Sequence, residues 1–134
     1  MTPFPLKIVT PDGMEFEGMV EQLIVRTTTG DLGILAGHIP CVAPLGMGRA
    51  TIVVDGKRRY AACIGGMLSV SSDHVTLVPT TFEFAEDIDA ARVEASYQRA
   101  QAILDNKNAS DTDVKLAEAR LRRALVRRSV VSNK

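Results

Sequence analysis

Tryptophan is absent and aromatic residues make up only 4% of the chain, which removes the stacking platforms used by sugar-binding sandwiches and by readers of single-stranded nucleic acid. Cysteine is scarce. Cys41 and Cys63 are the only two, each in an apolar neighbourhood, so buried reduced thiols are expected in preference to a disulfide framework. Histidine is equally sparse: His38 with Cys41, then Cys63 with His74, follows no usual zinc spacing, and no metal site is expected. Long apolar runs are missing too, the most apolar stretch (residues 61–70) being far short of the roughly 20 residues a membrane helix needs. The start, Met1-Thr2-Pro3-Phe4-Pro5-Leu6-Lys7, lacks the basic and apolar segments of a secretory signal, which points to a cytoplasmic protein. Neither sign of charge dominates, with 16 Lys+Arg against 16 Asp+Glu, and this balance argues against nucleic acid as a partner. Catalytic equipment is also lacking: there is no Gly-x-x-x-x-Gly-Lys-Ser/Thr loop, no Gly-x-Ser-x-Gly elbow and no His-Glu-x-x-His pair, so an enzyme is not expected.

What is present divides the chain near residue 86. Residues 1–86 carry 6 Lys+Arg against 9 Asp+Glu, and residues 87–134 carry 10 against 7. The first part alternates β-branched segments with turn chemistry. Thr10-Pro11-Asp12-Gly13 separates two strands, Pro presetting φ and Gly accepting positive φ. Asp55-Gly56 suits the type I′ turn of a second hairpin, between residues 50–54 and 57–64. Residues 22–28 form another strand, and residues 67–70 and 74–78 flank Ser71-Ser72-Asp73. Short strands at this spacing predict a sandwich or flattened barrel.

From Asp87 onward there is no glycine and Ala, Arg, Leu and Glu dominate, which predicts helix. Asp87 or Asp89 caps a first helix running to about Leu104, residues 105–109 turn, and Ser110 with Asp113 has capping-box spacing at the start of a second. Val114, Ala117, Leu121, Ala124 and Leu125 supply its apolar stripe. The fold class is therefore α+β, a β-sandwich at 1–86 followed by an antiparallel helical hairpin at 87–134. Contacts lined by alanine bury little apolar area, so the hairpin is expected to be weakly held.

Four segments together resemble the epsilon subunits of bacterial rotary ATP synthases: Thr10-Pro11-Asp12-Gly13; Gly30-Asp31-Leu32-Gly33-Ile34-Leu35-Ala36-Gly37-His38-Ile39-Pro40; Cys63-Ile64-Gly65-Gly66-Met67-Leu68-Ser69-Val70; and Ala85-Glu86-Asp87-Ile88-Asp89. The resemblance runs through nearly the whole chain, in order. Ala36 and Met67 depart from it, standing where that family usually has Pro and Phe. The resemblance implies a non-catalytic central-stalk subunit of a proton-transporting ATP synthase, peripheral on the cytoplasmic face of the cell membrane. Its sandwich would grip the gamma subunit and rest on the c-ring, with Asp31 and His38 as contact residues; on the residues alone, the favoured reading of His38 is a locally hydrogen-bonded turn histidine. The alternative reading, a free-standing adaptor or carbohydrate-binding sandwich, has only Tyr60 among its tyrosines to offer in the β part.

The family's hairpin either folds against the sandwich or extends beside gamma and blocks hydrolysis. Residues 114–134 hold Lys115, Arg120, Arg122, Arg123, Arg127, Arg128 and Lys134 against the single acid Glu118. Such a helix suits the acidic segment of the catalytic beta subunit, alongside alpha, that the resemblance implies as its extended-state partner; a solvated basic face is the plainer reading. Finally, Ile88-Asp89-Ala90-Ala91-Arg92-Val93 resembles the Ile-Asp-x-x-Arg-Ala motif of family members that bind ATP as a regulatory ligand, Val93 being the departure. By that resemblance Glu83, Ile88, Asp89, Arg92, Arg123 and Arg127 form the nucleotide site. Asp89 as a helix cap and Arg92 paired with a nearby acid is the alternative.

Overall fold

The computed structural model describes residues 1–132, leaving Lys134 of the basic helix outside the described residues. Ten strands come first: β1 (Phe4–Thr10), β2 (Gly13–Val20), β3 (Gln22–Thr27), β4 (Gly30–Ile34), β5 (Cys41–Pro44), β6 (Met47–Val54), β7 (Lys57–Ile64), β8 (Met67–Val70), β9 (Val75–Val78) and β10 (Thr81–Phe84). A 3₁₀ turn (Ala85–Asp87) leads to α1 (Ala90–Asp105) and α2 (Asp111–Val131). The strands make two five-stranded sheets, ordered β2-β1-β9-β8-β5 and β10-β7-β6-β3-β4. Neighbouring strands are antiparallel except β1 and β9, which run parallel with Leu6 opposite Val75 and Ile8 opposite Leu77.

Local chemistry sets the turns. The Thr10 hydroxyl accepts from the Asp12 amide (3.2 Å) and donates to Glu15 (3.1 Å), closing the first hairpin. Asp55 and Gly56 both adopt positive φ, 52° and 75°, as the type I′ turn requires. Gly66 has no room for a side chain: a Cβ there would run into the carbonyl oxygen of Val78.

Alternation along β1 sends Phe4, Leu6 and Ile8 inward, where they meet Leu23, Val25, Ile34, Ile52, Leu68 and Leu77 between the sheets. β7 breaks the alternation. Ala61, Ala62, Cys63 and Ile64 are all buried, because the outer face of this sheet is covered by the helical hairpin. Ala62, Ala85, Ile88, Val93 and Val130 form a second, smaller core there, with Tyr60, Val126 and Val131 at its margin. The hairpin is thus folded down on the sandwich.

Two expectations are corrected. Cys41 lies on the edge strand β5 and is half-exposed, whereas Cys63 is buried; both are free thiols. Leu125 is 41% exposed and Val114 and Leu121 are only half-buried, so the apolar stripe of α2 is carried instead by Ala117, Ala124 and Val130. Alanine therefore lines the contact between the helices, together with Ala100 of α1.

Candidate functional site

The site lies in a groove between α1 and α2, at the edge where β10 hands over to the helices. Asp89 caps α1, its carboxylate accepting from the Arg92 amide at 3.1 Å. Helical periodicity then brings Arg92, Ser96 and Arg99 to one face, at steps of four and three. Ser110 caps α2, accepting from the Asp113 amide at 3.1 Å, and the same spacing aligns Arg120, Arg123 and Arg127. Because Ala100, Ala117 and Ala124 keep the backbones close, the long arginines cannot pack between the helices and instead wall the groove.

Two adjoining cavities result. The first, about 430 Å³, is lined by Glu83, Asp87, Ile88, Asp89, Arg92, Val93, Ser96, Arg99, Ala124 and Arg127. The second, about 300 Å³, is lined by Ser96, Arg99, Ala100, Ile103, Arg120, Arg123 and Arg127. Ser96, Arg99 and Arg127 belong to both. Charge is graded along the groove: carboxylates and guanidiniums mix in the first cavity, and the second has four guanidiniums and no acid. The mixed end offers acceptors to hydroxyl or amino groups. The arginine end suits a polyanion.

Of the six residues expected at a nucleotide site, Glu83, Ile88, Asp89, Arg92 and Arg127 share the first cavity, and Arg123 lines the second. Asp87, Ser96, Arg99 and Arg120 also line the groove and were not anticipated there, although Arg99 stands seven residues beyond Arg92 on the same helix face. Arg127 Nε donates to Glu83 Oε1 at 2.7 Å. Among the described residues, Arg92, Arg99, Arg120 and Arg123 take part in no ion pair, so the acid partner offered as the plainer role for Arg92 is not present. Arg128 turns away from the groove: its guanidinium lies 4.2 Å from the centre of the Tyr97 ring and 3.4 Å from Glu94 Oε2. Arg122 points to solvent.

Asp31 and His38 fall at opposite ends of β4. Asp31 is paired with Arg26 across the β3–β4 ladder, at 2.9 Å. His38 sits in the exposed loop after β4, where its ring Nδ1 donates to the Ile39 carbonyl oxygen at 2.7 Å. The local hydrogen bond read from the sequence is therefore present. Among the described residues no cluster of His, Cys, Asp and Glu could hold a metal ion, and no helix is long and apolar enough to cross a membrane. Burial pushes the Cys63 thiol up to about 12.

The family model for the β-sandwich domain of the ATP synthase delta/epsilon chain matches residues 3–85, and the one for its long α-helix domain matches residues 86–132. The ATP synthase epsilon chain of Bacillus velezensis is 44% identical over 133 residues, covering 99% of this chain and all of the relative. That of Bacillus subtilis is 46% identical over 115 residues, 86% of each chain. Among solved structures, the fold is similar to a chain of the Euglena gracilis mitochondrial ATP synthase (TM-score 0.79, 22% identity, 91% of this chain and 77% of that one). It is also similar to a chain of the Tetrahymena thermophila mitochondrial ATP synthase central stalk and c-ring (TM-score 0.60, 15% identity, 97% of each).

Proposed function

The chain belongs to the epsilon chains of ATP synthase, and from that premise we propose that it is a non-catalytic coupling subunit of the central stalk whose helical hairpin senses ATP and restrains hydrolysis. The observation that carries the sensing role is the arginine-walled groove between helices docked on the sandwich. A nucleotide in that groove would set its sugar or base against Asp89 at the mixed end. Its phosphates would reach the guanidiniums of Arg123 and Arg127, which are suited to two-point contact with phosphate oxygens. Because such a ligand touches both helices, it favours the folded hairpin in proportion to its preference for that state.

With ATP scarce, the hairpin leaves the sandwich, and Arg120, Arg122, Arg123, Arg127 and Arg128 present a basic helix to an acidic surface of the catalytic beta and alpha subunits. Charge complementarity of this kind orients the encounter and speeds it. The sandwich stays with gamma and the c-ring, Asp31 facing them from strand β4 and His38 from the exposed loop after it. The subunit then sits peripherally on the cytoplasmic face of the membrane, and no cofactor is needed beyond regulatory ATP.

Calorimetric titration of ATP into the whole chain, beside Arg92→Ala and Arg123→Ala, tests the sensing role. Saturable binding weakened at least tenfold in both variants is expected, since each removes a charge-assisted contact of about 1.5–3 kcal/mol. No binding by the native chain, checked by a second method, would remove ATP from the reading and leave the family assignment in place.

A further inference from the structure

Five arginines line the groove, and among the described residues only Arg127 meets a carboxylate. That exception lies at the junction, because Arg127 lines both cavities. Its partner Glu83 belongs to β10, where backbone pairing with Ala62 of β7 fixes its position on the sandwich. The contact is short, 2.7 Å from Nε to Oε1, and the Arg127 side chain is only 25% exposed. It joins residues 44 positions apart, and so ties the last turns of α2 to the sheet edge.

A carboxylate oxygen on a guanidinium makes the same charge-assisted contact that a phosphate oxygen makes. Glu83 also lines the cavity that a polyanion would enter, so a phosphate reaching Arg127 from there brings a second negative charge beside the carboxylate. Asp89, the other acid tied to a groove residue, is engaged as the cap of α1. We propose that Glu83 is a built-in stand-in for the anionic ligand: it holds the hairpin down while the groove is empty and yields Arg127 when a nucleotide's phosphates arrive. This rests on the nucleotide reading of the groove and adds a resident competitor to it. Closure is then maintained by one of two occupants of Arg127, and the ligand's net effect on the hairpin is smaller than its contacts alone would give.

Hydrogen exchange of the α2 amides in the full chain separates the two occupants, with the amides of β1 and β9 as the internal control for folding. Without ATP, Glu83→Gln should exchange in α2 about two- to fivefold faster than the native chain, the range for a partly exposed ion pair. Saturating ATP should return it to the native rate, whereas Arg127→Ala should exchange fast without ATP and need at least about tenfold more ATP than Glu83→Gln to slow. Native-like exchange in ligand-free Glu83→Gln would overturn the proposal, because the pair would then hold nothing down. So would a failure of ATP to slow Glu83→Gln while it still slows the native chain, which would make Glu83 a contact of the ligand and not its substitute. ATP that slows neither chain would refute the nucleotide reading, and the stand-in role with it.

Discussion

At the scale of single residues, burial separates two side chains of identical chemistry. Cys63 lies between the sheets of the sandwich, and its thiol is pushed up to about 12 by desolvation, so almost none is thiolate at neutral pH. Cys41 is half-exposed on an edge strand. Iodoacetamide at pH 8 should therefore label Cys41 in the native protein and reach Cys63 only after denaturation, as peptide mass mapping would show; equal labelling would contradict the burial. The apolar neighbourhoods of the two cysteines look alike in sequence. What separates them is that Cys41 belongs to a strand with one free side, a fact of sheet order that no local pattern carries. Arg99 is the opposite case. Its distance of seven residues from Arg92 was there to be read, and pointed to the same groove.

Among the elements, α2 is held by little. Its buried residues are Ala117, Ala124 and Val130, and only the last brings a branched side chain to the sheet. Val130→Ala should loosen the docked hairpin by about 2 kcal/mol, from two methyl groups of lost burial. The loss should appear as faster amide exchange in α2 with the sandwich unchanged, and uniform loss across both would mean that the hairpin and sandwich unfold as one. Helix boundaries were legible because caps are chemical: Asp89 and Ser110 perform the capping read from their side chains. Strands were legible where turns bracket them, as at Asp55-Gly56. The strands β5 and β10 gave no sign, because no turn signature brackets them as Ser71-Ser72-Asp73 brackets β8 and β9, and proline stands before β5 (Pro40), at its end (Pro44) and just before β10 (Pro79). Leu125 was misjudged because a step of three or four recurs on more than one face of a helix, and the sheet selected the face bearing Val130.

For the molecule as a whole, sheet and helices divide the charge as well as the shape. With the hairpin down, Arg120, Arg123 and Arg127 of the basic helix line the groove, and Arg123 and Arg127 are partly buried there, so the folded form covers part of the charge that the extended form would offer. Inhibition by the extended hairpin should accordingly weaken as ionic strength rises from about 0.05 to about 0.5 M, over which screening shortens from roughly 14 to 4 Å. Hydrolysis rates of the assembled complex, with and without this chain, measure it; inhibition indifferent to salt would count against an electrostatic contact. The layout of strands then helices was legible from composition alone, through the rise of Ala, Arg, Leu and Glu after residue 86. The groove was only half legible, because its walls come from both helices and the edge of a sheet, and their meeting depends on how closely alanines let them approach.

The parallel pairing of β1 with β9 sets a timetable. A ribosome delivers the first strand long before the partner that must lie beside it, since Leu6 and Ile8 wait for Val75 and Leu77. Until then that sheet can form only as two separate pieces, the β1–β2 hairpin and the β5–β8 pair, with the central place of β9 between them empty. The sandwich therefore closes late in synthesis, shortly before the helices emerge, and the nascent chain is at its most adhesive just before it is whole.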